Sequence, residues 1–269
     1  MSTTVEAGHE RIARAFAQAR GSAALMPYMM GGFPTPEQSL QVGEAYIAAG
    51  ADIIELGFPY SDPLADGPVI QAAGTRALEA GTNVAAVLEI AARLSRSIPV
   101  VAMCYANMVF APGADAFVER LVRSGASGLI VPDLPYGASP EIADACQRHG
   151  VALVPLVAPT TPPARLREIV SSARGFVYAV SVVGTTGERE HVEDAATRLI
   201  EAAKASASAP VALGFGISTP EHAARAAAAG ADGVIVGTRL VRAAAEDPDP
   251  AAAVGEIVAE LAAGLGQAR

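Results

Sequence analysis

The chain has 269 residues, 51% of them hydrophobic and 17% charged, with 19 Lys+Arg against 28 Asp+Glu. That length suits one large domain or two small ones, with ample apolar content for a core. A net charge of −9 excludes the basic stripe that a nucleic-acid or anionic-membrane surface needs, and a single lysine, Lys204, leaves Schiff-base chemistry one unremarkable candidate.

From the N-terminus, Met1–His9 lacks the charged-then-apolar layout of a signal peptide. No run of about 18 uninterrupted apolar residues offers a membrane span. The two cysteines, Cys104 and Cys146, make no disulfide framework and point to a reducing compartment. A soluble, cytoplasmic protein is expected. Four scattered histidines (His9, His149, His191, His222) show no metal-ligand spacing, so neither a metal nor another cofactor is expected.

A helix over about Glu10–Arg20 comes first. Apolar runs then recur at Ala24–Met30, Ile53–Leu56, Val100–Tyr105, Gly128–Val131, Val151–Val157, Phe176–Val180, Val211–Gly214 and Gly233–Val236. Each is short and without alternation, as strands covered on both faces are. Between them, stretches such as Pro36–Ala49, Gly113–Ser124, Pro140–His149 and Pro220–Ala229 have helical period. Gly50, Gly125, Gly150 and Gly230 stand where a helix takes a left-handed cap before the next strand.

Alternating buried strands and helices imply a parallel sheet, either doubly wound or closed. Eight repeats in roughly 250 residues suit a (β/α)8 TIM barrel with an extra N-terminal helix. Met29-Met30-Gly31-Gly32-Phe33-Pro34 lacks the G-x-G-x-x-G of the open sheet. No linker or compositional break divides the chain, so residues 1–269 read as one domain.

A barrel puts chemistry at the C-terminal ends of its strands. The segment after the second strand is the longest connection, Gly57 to about Ile98, and opens with the loop Gly57–Pro68. Glu55 lies inside the apolar run Ile53–Gly57. A carboxyl there is either salt-bridged to an arginine on another strand or left with a raised pKa suited to general acid/base work. Asp66, eleven residues on, closes the loop either as a turn aspartate before a helix or as a second carboxyl of different environment facing Glu55.

Two glycine-bearing turns, Gly214-Phe215-Gly216 and Val236-Gly237-Thr238, follow the last two strands. Backbone amides there can bind phosphate, and two tight turns are the alternative. Ser181–Glu188, after the sixth strand, has the composition of a closing lid. Tyr105 and Tyr178 could contact a flat ligand or pack within the core.

The run Ile54-Glu55-Leu56-Gly57-Phe58-Pro59-Tyr60-Ser61-Asp62-Pro63-Leu64-Ala65-Asp66-Gly67-Pro68 resembles the signature of the tryptophan synthase α subunit. Met103–Asn107, Val131–Pro135, Gly214–Ser218 and Val236–Thr238 agree with it. The resemblance implies a (β/α)8 lyase that cleaves indole-3-glycerol phosphate to indole and glyceraldehyde 3-phosphate. It implies Glu55 as general acid/base and Asp66 as the carboxylate holding the indole N–H. Tyr178 and Tyr105 would lie near the substrate, with Tyr28, Met103 and Ile130 around the indole. Gly187, Gly216, Gly237 and Thr238 would surround the phosphate. Asp62, Pro63 and Asn107 would face a pyridoxal-phosphate β subunit, in an α2β2 complex. Tyr28 and Tyr60 carry hydroxyls where some members have phenylalanine, and Thr238 stands where many have serine. A catalytically weak allosteric partner, or another phosphate-binding barrel isomerase or aldolase, are the readings left open from other classes.

Overall fold

The structure is a computed structural model that describes residues 6–180, 189–214 and 216–266. Its strands are β1 (Ala24–Met30), β2 (Ile54–Gly57), β3 (Val100–Met103), β4 (Gly128–Ile130), β5 (Ala152–Leu153), β6 (Leu156–Val157), β7 (Val177–Val180), β8 (Val211–Gly214) and β9 (Gly233–Val236). The helices are α1 (Gly8–Gln18), α2 (Pro36–Ala48), α3 (Pro68–Glu79), α4 (Val84–Leu94), α5 (Ala106–Phe110), α6 (Ala114–Arg123), α7 (Pro140–His149), α8 (Pro163–Ser172), α9 (Arg189–Lys204), α10 (Pro220–Ala228), α11 (Thr238–Glu246) and α12 (Pro250–Gly264).

Helix boundaries follow local chemistry. Thr35-Pro36, Ser139-Pro140, Thr219-Pro220 and Asp249-Pro250 each combine a capping side chain, accepting from a backbone N–H of the first turn, with proline at the first helical position. The four glycines expected at helix ends, Gly50, Gly125, Gly150 and Gly230, all have φ between 72° and 105°, where a Cβ would be strained.

The strands are parallel in the order β5-β4-β3-β2-β1-β9-β8-β7-β6. Its two ends are one stretch of chain. Val154 N–H donates to Leu129 O at 2.9 Å on one side, and Tyr178 N–H donates to Pro155 O at 2.9 Å on the other. Residues 152–157 are therefore the single fifth strand anticipated from Val151–Val157. It is interrupted where Pro155 brings no N–H, and it closes the sheet into a (β/α)8 barrel. Between β2 and β3 the long connection holds two helices, α3 and α4.

Strand parity separates two cores. Met26, Ile53, Val101, Ile130, Ala152, Val154, Phe176, Tyr178, Ala212 and Ile235 form an inner cluster, and their neighbours along each strand pack outward against the helices. At the N-terminal end of the strands α1 stoppers the barrel. Ile12 is fully buried in the inner cluster, and Phe16 lies 5.8 Å from Phe176 between ring centroids. Arg11 donates to Ser95 O (2.6 Å) and Gly125 O (2.9 Å), the exposed carbonyl ends of α4 and α6. Ile12→Ala should thus cost about 2–5 kcal/mol by opening a cavity that the barrel wall cannot close, measured as a lower denaturation midpoint. The C-terminal end of the strands is left for the site. Among the described residues no helix is long and apolar enough to cross a membrane.

Candidate active site

Glu55 has the parity of Ile53 and so points into the barrel. It is 1% exposed, and its Oε2 is buried with no hydrogen-bond partner. No arginine pairs with it among the described residues, which removes the salt-bridge alternative. Burial first, and the charge of Asp66 second, push its pKa up to about 8. The side chain is therefore a neutral acid at pH 7.

Around it, strand register assembles the expected wall. Tyr28 is opposite Glu55, and Gly57 is opposite Met103, which in turn is opposite Ile130. Tyr178 and Ile130 belong to the inner cluster, with Met103 packed against it. The rings need room that only glycine leaves. A Cβ on Gly57 would overlap Tyr28, and one on Gly214 would overlap Tyr178. Tyr28 is 5% exposed and held through its backbone carbonyl by the Tyr46 hydroxyl at 3.1 Å.

Asp66 approaches from the loop. The N-cap of α3 is Gly67, and Asp66 does not cap that helix. Burial raises its pKa, and the neighbouring Tyr105 phenol acts in the opposite direction. The same phenol oxygen accepts Ala65 N–H at 3.0 Å, while Gln71 Nε2 donates to Asp66 O at 2.8 Å. Tyr105 lies past the end of β3, as N-cap of α5, a short helix not anticipated in the sequence. Tyr60 stacks on Tyr105 at 5.0 Å, and Asn107 Nδ2 donates to the Tyr60 hydroxyl at 3.4 Å. Asp133 accepts Ala106 N–H at 2.9 Å and so ties the end of β4 to this turn.

On the outer side of the loop, Asp62 and Asn107 are exposed and Pro63 is half-buried. Leu64 between them is 91% exposed, the largest apolar exposure on this surface. Sequence reasoning passed over Leu64, although an isolated leucine in a Pro/Asp/Ser loop was the available signal.

Opposite the loop, α11 begins at Thr238 with Gly237 as an N-cap that offers no side chain, leaving first-turn N–H groups open. A Cβ on Gly237 would stand 3.5 Å from Tyr28 Cβ, so this helix start adjoins the pocket. Gly216 is exposed with φ 78°. Arg239 donates to Ser218 O at 2.7 Å and pairs with Glu260, bracing the two turns. Gly187 and the lid segment 181–188 lie outside the described residues, as does Phe215. Among the described residues no group of three or more His, Cys, Asp or Glu side chains converges to hold a metal ion.

The family model described as tryptophan synthase alpha chain matches residues 15–267. The tryptophan synthase alpha chain of Gloeobacter violaceus is 48% identical over 236 residues, 86% of each chain. That of Methanosarcina mazei is 45% identical, covering 90% of this chain and 89% of its own. A structure of Mycobacterium tuberculosis tryptophan synthase aligns with TM-score 0.87 at 37% identity, over 96% of this chain and 99% of that one. One from work on mutual activation of the α2β2 complex of the hyperthermophile Pyrococcus furiosus aligns at 0.84 and 36%, over 91% and 99%. A closed barrel with a neutral buried glutamate facing a loop aspartate, and these likenesses over nearly its whole length, establish that the chain belongs to the tryptophan synthase alpha chain family.

Proposed function

We propose that Glu55 and Asp66 carry out the α reaction of tryptophan synthase, in which indole-3-glycerol phosphate is cleaved to indole and glyceraldehyde 3-phosphate. Indole C3 is a poor carbanion, so the bond to the glycerol side chain breaks only after C3 has been protonated. Glu55, neutral at pH 7, is the proton donor. The C3-protonated ring carries its positive charge at nitrogen, and Asp66 as a carboxylate stabilises that charge by accepting the ring N–H. As the C–C bond electrons return to the ring, the adjacent glycerol hydroxyl loses its proton and becomes the aldehyde. Glu55, having given up its own proton, takes that one. The acid is thereby regenerated and no external base is needed.

Tyr28, Met103, Ile130 and Tyr178 would enclose the indole, while the N–H groups near Gly216, Gly237 and Thr238, with Gly187, would hold the phosphate. An acidic chain can bind a dianion this way because the amides act locally, within a Debye length of about 10 Å at 0.1 M salt. The exposed face of Asp62, Pro63, Leu64 and Asn107 suits a β subunit, which receives the indole within an α2β2 assembly. The chain would work in the cytoplasm as one domain over 1–269, and a single sheet carrying every strand among the described residues supports the one-domain reading.

The carrying observation is the buried carboxyl of Glu55, its Oε2 without a partner and its pKa raised by burial and by the charge of Asp66. The direct test is indole release from indole-3-glycerol phosphate by the isolated chain, repeated with a β subunit present. Asp66→Asn should lower the turnover roughly 10²-fold. It should also move the alkaline limb of the pH–rate profile to lower pH, because removal of a negative neighbour lets Glu55 ionise earlier. An unchanged rate or an unmoved limb would count against the assignment.

A further inference from the structure

Tyr105 stands where the family resemblance expects a substrate contact, yet its hydroxyl is already engaged. Its oxygen accepts Ala65 N–H at 3.0 Å, which fixes the backbone one residue from Asp66, and the nearby phenol acts to lower the Asp66 pKa against the upward push of burial. The face of its ring is covered by Tyr60 from the start of the same loop. Both ends of the loop that bears Asp66 are thus fastened to one side chain. That side chain is itself anchored, because its residue caps α5 and the next N–H is held by Asp133.

Resting on the reading of Asp66 as the group that meets the indole N–H, we infer that Tyr105 is a positioning residue of the reaction. Its hydroxyl fixes the backbone beside Asp66 through Ala65 N–H, and its ring holds the start of the loop through Tyr60. Without the phenol, Ala65 N–H would lose its partner in a partly buried setting, where an unpaired polar group is costly, and Asp66 would lose the neighbour that favours its charge. The other titratable groups coupled to Asp66 through the barrel are Glu55 on β2 and Tyr28 on β1. Tyr105 is neutral across the working range, since burial pushes its hydroxyl up to about 12, and Asp133 on β4's side adds a further upward push. It therefore acts as a hydrogen-bond donor at every pH of interest.

The test reads Asp66 directly. Side-chain carboxyl 13C NMR of the full chain, with Asp66→Asn used to assign the resonance, should show the Asp66 midpoint rising by roughly one pH unit in Tyr105→Phe. In the same variant, kcat for indole release should fall about ten-fold, with the acid limb of the kcat/KM profile rising in step with the NMR midpoint. Tyr60→Leu removes the stacking and the Asn107 contact but leaves the Tyr105 hydroxyl, so KM should rise while the acid limb stays. Incorporating 3-fluorotyrosine at position 105 keeps the ring and strengthens the donor. It should move the Asp66 midpoint down, and it serves equally if Tyr105→Phe does not fold. An Asp66 midpoint unmoved by either change at Tyr105, or a Tyr105→Phe loss confined to KM as in Tyr60→Leu, would overturn the inference. Failure of the unaltered chain to release indole would instead overturn the proposed reaction, and the NMR titration would still decide the role of Tyr105.

Discussion

Glu55→Gln is expected to lower indole release roughly 10²- to 10⁴-fold, the usual worth of a positioned acid/base, while making the protein harder to unfold at alkaline pH. The two effects share one cause. The carboxyl is buried in the barrel with Oε2 unpartnered, and its proton is retained up to about pH 8. In the unfolded chain the same group titrates near 4.5. Between those values the native state binds a proton that the unfolded state has released, so stability falls as pH rises through the window. The cost reaches its limit above pH 8, with an upper bound on the order of 5 kcal/mol. Glutamine has the same shape and no charge to strand, so the variant escapes this penalty. Below about pH 4, where the native and unfolded glutamates are both largely neutral, the two proteins should unfold at similar denaturant concentrations. At pH 9 the variant should be the more stable by a few kcal/mol. Denaturant unfolding at pH 4, 7 and 9, beside the indole assay, checks both halves. Turnover that survives the substitution would remove Glu55 from the chemistry, and an unchanged pH slope of stability would remove the buried charge from the energetics.

The barrel itself was legible because its signals are local. An apolar run without alternation, a Thr-Pro or Ser-Pro helix start and a Gly at the helix end each sit within a few residues, and β1, β8, β9 and α7 lie at the expected positions to the residue. Even the fifth strand, divided in the structure into β5 and β6, was one apolar run, and Pro155 explains the division. What stayed hidden depends on residues far apart in sequence. Asp66 could be a turn residue or a facing carboxylate, and only the phenol of Tyr105, 39 positions away, separates the two. Glu55 could be ion-paired or orphaned, and that depends on whether any of the other strands brings a cation to it. The exposed apex at Leu64 and the stack of Tyr60 on Tyr105 have no periodic signature at all. Close approach was equally invisible. Gly57 read as the end of a strand, and its need to be glycine comes from a tyrosine on the neighbouring strand.

That need makes Gly57→Ala the second substitution with a large expected effect, and one that replaces no titrating group. The φ of Gly57 is not in the left-handed region, so the backbone accepts alanine. The obstacle is Tyr28. The new methyl would overlap its hydroxyl and stand 2.7 Å from Cζ and 2.9 Å from Cε2, well inside van der Waals contact. The ring has no retreat along its own strand, where Tyr46 holds the backbone carbonyl and Gly237, just past β9, closes in beside its Cβ. It must turn toward the space where the indole would lie. KM should therefore rise by roughly 10- to 100-fold, equivalent to about 1–3 kcal/mol of overpacking strain appearing as lost binding, and unfolding should become easier by a similar amount. Phenylalanine at position 28 would restore little, because Cζ remains at 2.7 Å. Leucine, which lacks the outer ring atoms, should recover most of the stability. The cycle of Gly57→Ala, Tyr28→Leu and the double variant measures the coupling directly. A strongly favourable interaction between the two changes is the expected result. Simple additivity would mean that the glycine is held by something other than the tyrosine ring.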